Sequence, residues 1–318
     1  MKKLYCSIIM IIALQAAFAE EKTKDFSITP VLGYDYWRFE DQQIHSPSGG
    51  VIFTKGDLFP PMPEEQNGLM IMGMYKQSWL MEDRKEYPDL YHDIQLLGIK
   101  AMKRHLFIGV LSSQAAEPFY GGLNTFTAGA GYAYEFIRKE NISFYLGAAI
   151  AVSDFGIEFP NGTSLPVLPI PIARFNAKTS WADFSIEFLS NLTVAFTLFP
   201  ESKIRLTGNI MIDPFGINDV RDLYFDTTLW YRFFSKESKM GDFMGLGLGV
   251  KNAGIFYNLS EKEKSYGVNS YSAYGVLDMS FLRLSCGYSF SGREIFGSDK
   301  TDKLGSGFFI SAMLGWQF

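Results

Sequence analysis

Polarity alternates with a period of two along most of this chain, and that pattern limits the fold more than any other feature. In 307–318, Phe308, Ile310, Ala312, Leu314, Trp316 and Phe318 fall on one face. Gly307, Phe309, Ser311, Met313, Gly315 and Gln317 fall on the other. Successive side chains of a strand point to opposite sides, so this segment reads as a strand with one large apolar face and one mostly small or polar face. The pattern recurs at 125–137, where Phe126, Ala128, Ala130, Tyr132, Tyr134 and Phe136 oppose Gly129, Gly131 and Glu135. It recurs again at 142–155, at Leu192 to Leu198 and at Ile204 to Ile210. Further candidates fill 223–234, 243–257, 271–283 and 284–292.

About fifteen candidate strands follow from this count. Of the 318 residues, 47% are hydrophobic and 16% aromatic, yet no run of 18 apolar residues occurs outside the N-terminal segment. Helical membrane spans are thereby excluded. A chain of average hydropathy can still coat itself in apolar side chains if they sit on one face of many strands, which is the transmembrane-barrel pattern. The expected fold is all-β: one antiparallel transmembrane β-barrel over 20–318. If both ends lie on one side of the membrane, the strand number is even. Fourteen is the expected number, with 20–66 contributing little to the wall. Counting Val51 to Lys55 as a short extra strand gives sixteen, and twelve also stays open. No internal repeat suggests a solenoid.

At the start, Lys2 and Lys3 precede an apolar run from Leu4 to Leu14, and Ala17-Phe18-Ala19 precedes Glu20. This is the order of a secretory signal peptide, expected to span 1–19. Cys6 falls inside it, so Cys286 is left without an intramolecular partner and reads as a small packing residue. Without Lys2 and Lys3 the mature charge is 27 − 34 = −7. That balance offers no basic face for nucleic acid.

The last strand resembles the closing strand of Gram-negative outer-membrane barrels, whose terminal aromatic is read by the barrel-assembly machinery. The resemblance implies an outer-membrane location, contact with outer-membrane lipid, and Trp316 and Phe318 as the assembly signal. It also implies periplasmic termini, with short turns on that side and longer loops outside. Arg138–Asn141 and Pro200–Lys203 then become short periplasmic turns, while 157–166, 260–270 and 293–304 become outer loops. A looser likeness covers 67–215. Its paired prolines, the Ser180-Trp181-Ala182-Asp183 turn and two short alternating strands resemble a group of outer-membrane barrels known only as domains of unknown function. That likeness implies a fold and no activity.

The stretch Leu165 to Ile172 is the least strand-like, because proline donates no ladder hydrogen bond. One reading makes 160–171 an outer loop, with a strand starting near Ile172. The other makes Pro169 and Pro171 a seam: being two apart, both withhold a donor from the same neighbouring strand.

Chemistry is sparsely signalled. His45, His92 and His105 are scattered, Gly-x-Ser-x-Gly is absent, and no metal-ligand spacing occurs. A lipid hydrolase would need His92 beside Ser112 or Ser113. No cofactor or metal is expected, and Asp219–Asp222 and Glu261–Glu263 read as solvated loop charge. Placing the apolar faces toward lipid turns Glu135, Glu187, Arg205, Asn209, Asp226, Arg232, Lys251 and Asp278 inward, since Arg or Lys facing the bilayer midplane costs about 2–4 kcal/mol. Gly245, Gly247 and Gly249 share that face and leave room. A channel for small solutes is the leading functional expectation. A closed-lumen structural or surface-interaction barrel and a lipid-modifying hydrolase are the alternatives.

Overall fold

The computed structural model describes residues 26–57, 66–82, 87–154, 166–188, 191–212, 223–233, 244–259, 265–279, 281–297 and 300–315. The expected signal segment, Trp316, Phe318, and the acidic groups at 219–222 and 261–263 lie outside them.

Sixteen strands form one closed antiparallel barrel, in which β1 (Phe26–Phe39) pairs with β16 (Lys300–Gly315). In chain order the others are β2 (Gln43–Asp57), β3 (Gln66–Leu80), β4 (Leu90–Lys103), β5 (His105–Ala115), β6 (Thr127–Lys139), β7 (Ile142–Val152) and β8 (Val167–Lys178). They continue with β9 (Ala182–Phe188), β10 (Leu192–Leu198), β11 (Ile204–Ile212), β12 (Leu223–Arg232), β13 (Gly245–Asn258), β14 (Ser265–Met279) and β15 (Leu282–Phe296). Phe26 and Gly315 lie at the same end, here the terminal end; the opposite end is the far end.

Sixteen replaces the expected fourteen, and the difference lies in 26–57. The Pro/Gly/Ser-rich stretch 42–50 looks like a loop but belongs to β2, which pairs with β1 without interruption from Gln43 to Lys55. Its ladder to β3 skips from His45↔Trp79 to Ser48↔Lys76, on either side of Pro47. There the Ser46 and Ser78 hydroxyls bond at 2.7 Å, a side-chain link where the backbone ladder lapses. Two expected loops are also mostly strand. Ser265 to Asn269 opens β14, while Arg293 to Phe296 and Lys300 to Leu304 lengthen β15 and β16. Their polar appearance misleads because Tyr266, Val268, Ile295, Phe296 and Leu304 are buried. Within the stretch 160–171, residues 160–165 lie outside the described residues, and Val167 to Pro171 are strand: β8 begins at Val167 and pairs with β7 through both prolines.

The alternation sets the two surfaces. On β13, Leu246, Leu248 and Val250 are 48%, 71% and 49% exposed on the outside, while Gly245 and Gly247 are buried within. Phe308, Ile310 and Leu314 likewise face out from β16. The three histidines sit on this outer face, each with Nδ1 bonded to a cross-strand tyrosine hydroxyl: His45–Tyr34 at 2.6 Å, His92–Tyr75 at 2.7 Å and His105–Tyr132 at 2.7 Å. His45 and His92 lie near the far ends of β2 and β4, and His105 lies at the terminal end of β5.

The far end departs from a simple barrel. β13 pairs with β12 only up to Asp226↔Lys251, then leans across the lumen until Asn258 pairs with Ala115 of β5, eight strands away (13 − 5). The Ala116 amide donates to the Asn258 carbonyl at 3.3 Å, and the Asn124 side-chain amide donates to the Leu259 carbonyl at 2.6 Å. Under this crossing an aromatic core fills one side of the lumen. It joins Phe39, Ile44, Leu80, Tyr91, Tyr257, Tyr266 and Phe296. Tyr91 stacks on Tyr257 at 4.8 Å and on Tyr266 at 5.3 Å. Hydroxyls run through this core from Ser46 to Ser78 to Tyr257, with 2.7 Å at each step. The Tyr266 hydroxyl donates to buried Glu294 at 2.6 Å.

Candidate functional site: the charged cavity inside the barrel

Toward the terminal end, the lumen is a cavity of about 910 Å³. Its wall includes Glu135, Asn209, Asp226 and Lys251 from the sequence-derived set. Arg174, Asp183, Trp230, Tyr274 and Arg283 also line it.

The glycines at inward positions of β13 determine its geometry. A Cβ on Gly249 would lie 2.6 Å from the Tyr274 ring, and one on Gly247 would lie 2.8 Å from Val276 and 3.1 Å from the Trp230 ring. The space is therefore used by neighbouring side chains and does not simply widen the lumen. Tyr274 on β14 reaches over Gly249 to β12, where its hydroxyl donates to Asp226 and bonds Thr228 at 2.6 Å. Buried Trp230 donates its indole N–H to Thr207 at 2.9 Å. The guanidinium groups of Arg205 and Arg283 lie 5.6 and 5.4 Å from its ring centroid, within cation–π range.

Lys251 stands directly opposite Asp226 in the β12–β13 register. Its ammonium lies 4.4 Å from the Phe309 centroid, 5.1 Å from Tyr274 and 5.7 Å from Trp37. Three ring faces thus hold one cation at mid-height in the barrel. Nearby, Asp35 accepts from Lys76 at 2.7 Å and from Ser311 at 2.6 Å.

Several of the sequence-derived charges are held in local pairs. Glu187 pairs with Arg174 at 3.4 Å across the β8–β9 register, with both side chains partly exposed. Asp278 pairs with Arg283 at 3.2 Å. Glu135 is 1% exposed and pairs with Arg138 at 3.2 Å. Arg232, also buried, donates to the Pro200 carbonyl at 2.8 Å and so ties down a terminal-end turn. Asp35, Lys76 and Arg174 are absent from the sequence-derived set. Asp35 lies in a segment that alternation alone leaves out of the wall, and Arg174 follows the two prolines. Lys76 sits on β3, where the strand pattern gives no prior reason to single it out.

His92 turns outward to Tyr75, while Ser113 donates to the Thr125 carbonyl at 2.5 Å, so the pair a hydrolase would need is not assembled. Among the described residues no group of three His, Cys, Asp or Glu side chains is placed to hold a metal.

No family model matches this chain, and no curated protein matches it. Solved structures do. The outer membrane protein opdK of Pseudomonas aeruginosa matches at 9% identity over 93% of this chain and 100% of that one, with a TM-score of 0.40. OccAB3 of Acinetobacter baumannii matches at 10% identity over 92% and 99%, with a TM-score of 0.41. A BenF-like porin of Pseudomonas fluorescens Pf-5 matches at 9% identity over 92% and 98%, with a TM-score of 0.38. At such values nothing about function rests on these likenesses.

Proposed function

We propose that this chain is an outer-membrane barrel that passes small solutes, with the charged cavity as their path and the terminal end toward the periplasm. The observation that carries this reading is the contrast between its two surfaces. Outside, bulky apolar side chains stand exposed on strand after strand, whereas a soluble monomer rarely shows a contiguous apolar patch larger than a few hundred Å². Inside is a cavity of about 910 Å³ lined by charges of both signs. Charged linings of this kind stabilise ions and polar solutes that hydrocarbon excludes. Single-channel recording in a planar bilayer tests it: stepwise conductance is expected, and a folded, silent barrel overturns it.

A closed structural barrel is the second reading, favoured by the aromatic core under the β13 crossing. The core fills the side between β1–β4 and β13–β16, so any through-path runs along the β5–β12 side. The two readings diverge on whether that remaining passage conducts.

A further inference from the structure

The wall is not uniformly tall. β9 and β10 have seven residues each, against eleven in β7. At about 3.3 Å per residue and a tilt near 45°, seven residues rise roughly 16 Å, short of an apolar band about 25 Å tall. β8 pairs with β9 only from Ala173 to Lys178, whereas its pairing with β7 covers Val167 to Ala177. Among the described residues, Val167 to Ile172 thus has no strand on its β9 side. At the other end of the gap, β13 leaves β12 above Asp226↔Lys251.

Open sheet edges are forbidden in hydrocarbon because their backbone groups find no partner. Each side of this gap carries a feature that eases that constraint. The ladder to β7 runs unbroken through Pro169 and Pro171, so their missing donors fall on the open side, where an N–H would be stranded. On β12, the Asn252 side chain accepts from the Phe225 amide at 2.6 Å and donates to the Leu223 carbonyl at 2.5 Å, replacing the β13 backbone that has moved away. Two different devices thus reduce the unpaired groups along the gap: the prolines remove two donors from β8, and the Asn252 side chain caps two backbone groups of β12.

We infer that this notch, between the far halves of β8 and β13 above the β9–β10 hairpin, is a lateral opening from the cavity to the membrane. Its ligands are single-chain amphiphiles. The notch meets hydrocarbon on one side; at its foot stands the half-exposed Arg174–Glu187 pair, which suits a polar head group. The inference rests on the reading of the cavity as a solute path and specifies what enters it. It also explains why the far end can be filled by aromatics on one side while the cavity stays accessible.

Two experiments test it. In a Cys286→Ser background, a fluorophore placed at Ser185→Cys on the cavity wall is exposed to a nitroxide-labelled twelve-carbon fatty acid in the bilayer. Saturable loss of fluorescence, reversed by unlabelled dodecanoate and not produced by a nitroxide phospholipid, is expected. Loss that only follows membrane partitioning, without saturation, overturns the inference. In the second experiment, Pro169→Val with Pro171→Val restores two donors to the open edge. The midpoint of urea unfolding in lipid vesicles should fall; a rise or no change shows a paired or solvated edge and also overturns it. Conductance measured on the same protein separates the two readings. Conductance without saturable quenching removes the lateral opening alone, and saturable quenching without conductance removes the solute channel alone.

Discussion

Removing the Tyr257 ring should open the far end of this barrel. Tyr257 is 2% exposed, stacks on Tyr91 at 4.8 Å and bonds Ser78 at 2.7 Å. Tyr257→Ala leaves a void of roughly 100 Å³, several times the 30 Å³ share of one liquid water. The cavity term alone is about 2.4 kcal/mol, and with lost transfer free energy and stacking the total is about 3–5 kcal/mol. The void borders the Ser78 hydroxyl, itself bonded to Ser46, so polar partners for entering water are already present. Tyr257→Phe is the matched control. It keeps the ring and loses one hydrogen bond while Ser78 keeps its Ser46 partner, so it should cost only about 1 kcal/mol. Urea unfolding in vesicles, followed by tryptophan fluorescence, reads stability; planar-bilayer recording reads the path. Tyr257→Ala should raise single-channel conductance and Tyr257→Phe should not. A folded Tyr257→Ala barrel with unchanged conductance refutes the view that this aromatic core narrows the lumen.

Three further outcomes are expected. Asn252→Ala strands the Phe225 amide and the Leu223 carbonyl, which should cost about 2–6 kcal/mol in urea unfolding, at 1–3 kcal/mol for each unsatisfied group. Gly307→Ala places a Cβ 1.8 Å from the Arg38 carbonyl oxygen at the β1–β16 closure, so about 1–3 kcal/mol of overpacking should slow or weaken the folded band on unheated gels. Cys286 is exposed on the outer face of β15, so a membrane-permeant maleimide should label it in vesicles while a charged, impermeant one does not; equal labelling by both would place that face in water.

Period-two alternation gives an expected inward and outward face on β6, β7, β10, β11 and the later strands, because facing in or out is a local property of each residue. Of the eight residues expected inward, Glu135, Asn209, Asp226 and Lys251 are among those lining the cavity. Alternation was silent where propensity and pairing disagree. The Pro/Gly/Ser stretch of β2 looks like a loop, yet β1 pairs along it without interruption. The inward glycines of β13 read as empty space, and only the neighbouring strands showed that Tyr274 and Trp230 fill it. What stands beside a strand is a non-local fact: Asn258 meets Ala115 from across the barrel, and no window of sequence contains both. The sequence alone determined a β-architecture with an apolar exterior, since that depends on the two-residue period. Tertiary structure decided the sixteen-strand closure, the aromatic filling of the far end and the low wall beside Pro169 and Pro171. Those follow from which backbone groups find partners, and partnership is settled only when the chain closes on itself.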